Sequence, residues 1–547
     1  MKGFGEQSKS KNKKVSSQIP ISSKQQLIDQ AIKFHMEGNI SEAAKYYLSF
    51  INQGFKDHRV FSNYGIILKS LGKLKEAELS TRKAIELNPN FADAYSNLGN
   101  ILWNLRQLQE AELSTRKAIE LNPSFANAHL NLGNILKDLG KLKEAELSTR
   151  KAIELNPGFA NAHLNLGNIL KDLGKSHEAE ISYRQVIKIN PSLATAYSNL
   201  GATLQDLGKL HEAEISYKKA IHIKPDFADA QFNFGGLLLD LGKIDDYIKL
   251  SKSMLESKSI DDRNKLVFSL SNSIAYLIKG SFAESLFSIN RTKKLIDQGK
   301  VHSLKDKKDK KYFLSFFLFL SSLYPLIEKN SNTLDLEKIP HFGDSHCLSF
   351  VHQTLSLYSN LNQIQPVLIR GGKAWYFAKK ENNRWKDSLV QQIKNHNYSD
   401  KVFISFGEID CKKEDNMLTY AIKKDKDILE VCESTVKGYI DYMEGSLSQN
   451  YLKRYYFGVP APTRYTEFLD KLDIKRNEMI KIFNSLLKHE VLSRGSYFLD
   501  VYELTSTKDG ENNNLYMCDK FHLSPKCLTN LFDNHLYEPD SFRQLTS

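Results

Sequence analysis

The sequence predicts an α-solenoid followed by an α/β domain of three layers built on a five-stranded parallel sheet. Three observations predict it. Small residues and prolines recur every 34 residues through the first half of the 547-residue chain. After about residue 338 the hydrophobic period changes, and short apolar runs alternate with helical stretches. The composition, 41% apolar and 26% charged, is that of a chain with buried cores.

The repeat comes first. Pro89, Pro123, Pro157, Pro191 and Pro225 keep the period, as do Gly65, Gly99, Gly133, Gly167, Gly201 and Gly235. Ala43, Ala77, Ala111, Ala145, Ala179 and Ala213 form a third column. Each unit reads as two amphipathic helices with a turn between them and a proline that stops the second. Gly on the first helix and Ala on the second let two backbones approach closely. One unit cannot bury its own apolar face, whereas stacked units can. Units begin near Lys24, His58, Ala92, Ala126, Ala160, Ala194 and Ala228. The end units are degenerate: Ala31 replaces the first Gly, and Tyr247 stands where the last Ala is expected.

This array resembles the tetratricopeptide repeat superhelix. A further column, Asn63, Asn97, Asn131, Asn165, Asn199 and Asn233, lies two residues before each Gly. A primary amide both donates and accepts, so it can grip a peptide backbone. In this the array is similar to that of O-linked N-acetylglucosamine transferases, whose asparagine ladder holds extended polypeptide. The resemblance implies a protein or peptide partner in the groove. The same column can equally bond between helices. Glycosyl transfer itself is disfavoured, because one α/β unit accounts for the rest of the chain.

The expected organisation is a flexible basic tail over 1–23, the array over 24–261, a helical extension and charged linker over 262–337, and the α/β domain over 338–547. Lys305 to Lys311, five lysines and two aspartates, reads as a solvated hinge. The apolar run Tyr312 to Ile327 reads as a buried helix, a lid over the last repeat. It is too short to cross a bilayer.

Strands are expected at Ile339–Phe342, Pro366–Arg370, Lys401–Phe406, Arg454–Val459 and Tyr497–Val501. Helices are expected at His346–Tyr358, Trp385–Asn395, Lys426–Leu447, Tyr465–Leu492 and Ser524–His535. In a parallel sheet, ligands bind beyond the C-terminal strand ends. There the sequence places Gly343-Asp344-Ser345-His346, Gly371-Gly372, Gly407-Glu408-Ile409-Asp410, and Asp519 with His522. A serine hydroxyl needs a base, and the base needs an orienting carboxylate. Ser345, His522 and Asp519 supply these roles, and the N–H groups of Ser345 and Gly371 can serve a developing oxyanion. Gly372, Glu408 and Asp410 are candidate polar groups of the same site. His346 is a second candidate base, better read as capping or packing.

Residues 338–536 resemble the SGNH/GDSL hydrolases, a flavodoxin-like α/β/α superfamily of esterases, lipases and carbohydrate O-acyl hydrolases. The resemblance maps Ser345 to the family nucleophile, Gly371 to its oxyanion glycine, and Asp519 with His522 to its closing pair. It implies metal-free acyl-enzyme chemistry with no cofactor. One position departs: Ile409 stands where the family places an Asn oxyanion donor.

Two functions follow. One is a cytoplasmic serine O-acyl hydrolase acting on an acylated carbohydrate or small ester, with repeats that recruit a protein. The other is a non-catalytic interaction scaffold with a degenerate hydrolase domain. The net charge of +12 is interspersed and does not argue for nucleic acid. The polar N-terminus reads as neither signal peptide nor membrane anchor. Five cysteines without a C-x-x-C pair argue against a disulfide scaffold or a zinc site.

Overall fold

The computed structural model describes residues 23–257, 260–327, 336–407, 411, 417–463, 470–519 and 522–539. The basic tail to residue 22, Glu408, Ile409 and Asp410 lie outside the described residues. The chain forms two compact units, Met1–Pro191 and Ser192–Ser547.

Among the described residues, the first unit holds ten helices, Lys24–Met36 through Ser176–Ile189, paired as helical hairpins. The second opens with three more pairs, Ala194–Asp206 through Phe282–Asp297. First helices begin at Lys24, His58, Ala92, Ala126, Ala160, Ala194 and Ala228, the expected positions. The small columns have the steric cause the sequence suggested. A Cβ on Gly99 would lie 2.1 Å from Thr115 Oγ1, and one on Gly133 2.2 Å from Thr149 Oγ1. The alanine column is fully buried. Gly72, Gly140, Gly174, Gly208 and Gly242 close the intra-repeat turns at φ of +70 to +77°, where Cβ-bearing residues are strained. Arg106 occupies that turn position in the third repeat, at φ +62°.

The charged stretch Lys305–Lys311 is helical from Lys307 onward. Asp306 accepts the N–H groups of Lys308 and Asp309 and caps a helix, Lys307–Leu323. The segment is helical because the cap satisfies its first amides and apolar residues follow. Its buried face, Phe313, Phe319, Leu320 and Leu323, packs with Leu266, Leu270 and Leu277 and with Cys347, Leu348 and Val351. No described helix is long and apolar enough to cross a membrane.

Among the described residues the sheet has seven strands and is mixed, where five parallel strands were expected. In chain order these are β1 (Glu337–Gly343), β2 (Thr354–Leu357), β3 (Asn360–Leu368), β4 (Lys401–Ser405), β5 (Lys453–Phe457), β6 (Tyr497–Leu499) and β7 (Leu536–Tyr537). Their spatial order is β2-β3-β1-β4-β5-β6-β7. The five expected strands correspond to β1, β3, β4, β5 and β6, and their pairings are all parallel. The additions are antiparallel edges.

The expected helix His346–Tyr358 is instead a 3₁₀ turn, Ser345–Phe350, followed by β2. β2 and β3 form a hairpin with a two-residue loop, Tyr358-Ser359, both at positive φ (51° and 69°). That is the loop geometry of a type I′ turn, whose twist suits paired strands. Alternate residues of the central strands enter separate cores. Phe342, Val402, Ile404 and Tyr456 pack with the helices Arg384–Asn395, Ile428–Leu447 and Lys471–Ser493. Ile339, Phe403, Tyr455 and Phe457 pack with the segment Val501–Phe532. Burial on both sides explains why these strands read as continuous apolar runs.

Candidate active site

The chain leaves β1 for β3 on one side and later crosses back to β4 on the other. The crevice beyond β1 and β4 is therefore the switch point where an open parallel sheet offers a site. Ser345 stands there. Gly343, the last residue of β1, must be glycine, since a Cβ would lie 2.3 Å from Ser405 Oγ. Asp344 is buried, and its carboxylate accepts the His346 N–H at 2.9 Å and binds His346 Nδ1 at 3.0 Å. This holds Ser345 at the mouth of the turn and occupies His346 locally, as capping predicts.

The second contributor is the loop Met517–Leu523, closed by an antiparallel bridge between those residues. Asp519 Oδ1 accepts the His522 N–H at 2.7 Å. The same carboxylate lies 3.0 and 2.9 Å from His522 Nδ1. His522 Nε2 lies 2.9 Å from Ser345 Oγ, across 177 residues of chain. With Nδ1–H donated to Asp519, Nε2 carries the lone pair and accepts the Ser345 hydroxyl. The imidazole is buried, its side chain 8% exposed. Phe319 stacks on it with centroids 3.7 Å apart and planes 20° apart, a neighbour that no sequence spacing signals. The His346 ring lies 4.9 Å away, centroid to centroid.

Gly371 and Gly372 sit on the same edge. Leu368 pairs with Gly343, and Ile369 N–H donates to Gly343 O at 2.8 Å. Gly372 N–H donates to Ile369 O at 2.9 Å, closing a tight turn with Gly371 at φ +66°. That dihedral suits the third position of a type II turn and needs glycine. Among the described residues, neither the Ser345 nor the Gly371 N–H donates to a backbone carbonyl in a turn or loop. Gly407 opens the loop after β4 at φ +123°, with no room for a Cβ beside Phe483.

Burial raises the thiols of Cys347, Cys518 and Cys527, the last two to about 12. They are poor nucleophiles at neutral pH. Among the described residues no group of three or more His, Cys, Asp or Glu could hold a metal ion.

The asparagine column lies elsewhere, on the first helices of the repeats, half-buried at all six positions. Its amides bridge repeats. Asn97 Nδ2 donates to Ser62 Oγ at 3.0 Å, Asn131 Nδ2 to Ser96 Oγ at 3.3 Å, and Asn165 Nδ2 to Asn134 Oδ1 at 2.5 Å. Asn63 bonds Tyr47.

Residues 92–125, 126–159 and 194–227 match the tetratricopeptide repeat family, as do 149–181, and 65–105 with 167–208 match a second description of the same repeat. Similar solved structures include YrrB, described as a TPR protein with an unusual peptide-binding site. It is 28% identical over 34% of this chain and 97% of its own, with a TM-score of 0.29. TTC0263, a thermophilic TPR protein of Thermus thermophilus, is 22% identical over 34% and 100%, with a TM-score of 0.29. PilF of Pseudomonas aeruginosa is 18% identical over 36% and 90%, with a TM-score of 0.34. No curated protein matches the chain.

Proposed function

We propose that the α/β part of the chain is a serine O-acyl hydrolase of the SGNH type, and that the tetratricopeptide repeats bind a protein or peptide partner. One observation carries the enzyme reading: the continuous chain from Ser345 Oγ through His522 to Asp519, with both links at 2.9 Å.

The chemistry follows from that chain. Ser345 Oγ attacks the acyl carbonyl carbon while His522 Nε2 takes the hydroxyl proton. Asp519 holds the imidazole tautomer and stabilises the imidazolium without itself taking the proton. The carbonyl oxygen becomes an oxyanion facing the Ser345 and Gly371 N–H groups. The tetrahedral adduct collapses, His522 gives its proton to the departing alkoxide, and an acyl-Ser345 ester remains. Water then attacks that ester with His522 again as base. The carboxylic acid leaves, and Ser345 recovers its proton. No metal or cofactor enters these steps. The substrate class is an acylated carbohydrate or small ester, with Gly372, Glu408 and Asp410 as polar contacts.

The second reading is a non-catalytic scaffold, and Ile409 favours it. Losing one oxyanion donor of a set costs about 10²–10³ in rate. Turnover of p-nitrophenyl acetate separates the readings. The hydrolase reading expects measurable turnover that Ser345→Ala abolishes. Equal rates for the two proteins leave the scaffold.

A further inference from the structure

Gly371 is useful to an oxyanion only if its N–H points at the carbonyl oxygen on which the charge develops. The N–H of Gly371 and the C=O of Arg370 belong to one planar trans peptide, so they point in opposite directions. This peptide is the central one of the Ile369–Gly372 turn. Rotating the central peptide by half a turn interconverts type I and type II turns, and it would carry the N–H to the opposite side. Whatever fixes the Arg370 carbonyl and side chain therefore decides whether the donor is presented.

Two anchors do this. Trp385 Nε1–H donates to Arg370 O at 3.2 Å and holds the carbonyl. The Arg370 guanidinium binds Asp240 Oδ1 through Nε at 3.0 Å and Nη2 at 2.8 Å, and also donates to Gly236 O. Asp240 is buried, at 4% exposure, on the repeat helix Ala228–Asp240. Gln205 Nε2 fixes its second oxygen at 2.6 Å. The Trp385 anchor also depends on the repeats. Its ring stacks on Tyr376, 3.7 Å between centroids and 4° between planes. It stands on the helix Arg384–Asn395, whose Ser388 hydroxyl donates to Asp240 O at 2.7 Å. Asp387 of that helix accepts Leu210 N–H at 3.2 Å.

We propose that the Arg370–Gly371 peptide is a two-position element, held with its N–H toward Ser345 by Asp240 acting through Arg370 and by Trp385. Asp240, Arg370 and Trp385 are positioning residues, and the repeats of the second unit complete the site. The proposal rests on Gly371 as the oxyanion donor of the hydrolase reading.

The test uses the full chain with Ser345→Ala, Trp385→Phe and Asp240→Asn. Phe keeps a stacking ring but loses the indole N–H that holds the carbonyl, so it guards against a misfolded Asp240→Asn. Both positioning variants should lower kcat for p-nitrophenyl acetate by at least tenfold, with KM unchanged. A donor that acts only in the transition state gives that split; loss of folded protein also lowers Vmax at unchanged KM, so kcat is referred to the folded fraction measured by circular dichroism. Hydrogen exchange of the 368–377 segment should quicken at least tenfold while the repeat helices keep their protection. An unchanged kcat in both folded variants overturns the proposal. If the unmodified chain turns over no faster than Ser345→Ala, the hydrolase reading fails separately. Exchange then decides the positioning claim: quickened exchange confined to this segment sustains it, and unchanged exchange overturns it.

Discussion

His341 shows how this sheet treats a polar residue in its core. It is fully buried on β1 among Phe350, Phe403 and Phe457, and its Nε2 shares a hydrogen bond with Ser405 Oγ at 2.9 Å. Burial first, then the like-charged neighbour His346, pushes its pKa down to about 3. The unfolded chain takes the proton near pH 6.5. Between those values the unfolded state binds the extra proton, so stability falls as pH falls. The slope is roughly 1.4 kcal/mol per pH unit from this one residue. His352 and His396, also lowered mainly by burial, act in the same direction. Denaturant unfolding from pH 7 to 4 should therefore be steeper for the natural chain than for His341→Phe by about that amount. Parallel curves would place the histidine's proton elsewhere.

At the scale of elements, repeats and sheet were legible to different degrees. The seven helix starts were readable because each unit repeats the same steric demands: Gly under Thr115 or Thr149, Ala at the crossing, and Gly at the turn. Arg106 breaks the last of these, and its φ of +62° is a strained conformation for an L side chain. Arg106→Gly should raise stability by about 1 kcal/mol, the left-handed penalty outweighing glycine's entropy, because the ion pair it removes to Asp138 is exposed. A lower melting temperature for Arg106→Gly would show that this pair matters more than the backbone. In the α/β part the parallel strands were readable from their apolar runs. The β2–β3 hairpin was not, because Tyr358-Ser359 lacks the Asn-Gly or Asp-Gly that usually marks such a turn. β7, two residues long, is too short to leave a pattern.

At the scale of the whole chain, what the sequence concealed was contact across distance. Ser345 was legible because it follows the first expected strand, and Asp519 and His522 because they stand three residues apart just before the last expected helix. The stacking of Phe319 on His522 and the grip of Arg370 on Asp240 join segments with no shared spacing. The asparagine column was legible as a column only; its half-buried side chains include amides that bond across neighbouring repeats. A displayed peptide library selected on the full chain should yield binders that Asn131→Ala, Asn165→Ala and Asn199→Ala together remove, with helix content unchanged. Binding that survives the triple change would leave the column as a brace between helices.

The account depends most on a nucleophilic hydroxyl at residue 345. The direct measurement is intact-protein and peptide mass spectrometry after exposure to a fluorophosphonate, which acylation-competent serines attack with loss of fluoride. The account predicts one covalent adduct per chain, mapped to Ser345 and absent from Ser345→Ala and His522→Ala. A chain that gains no mass, or gains it at another residue, contradicts it.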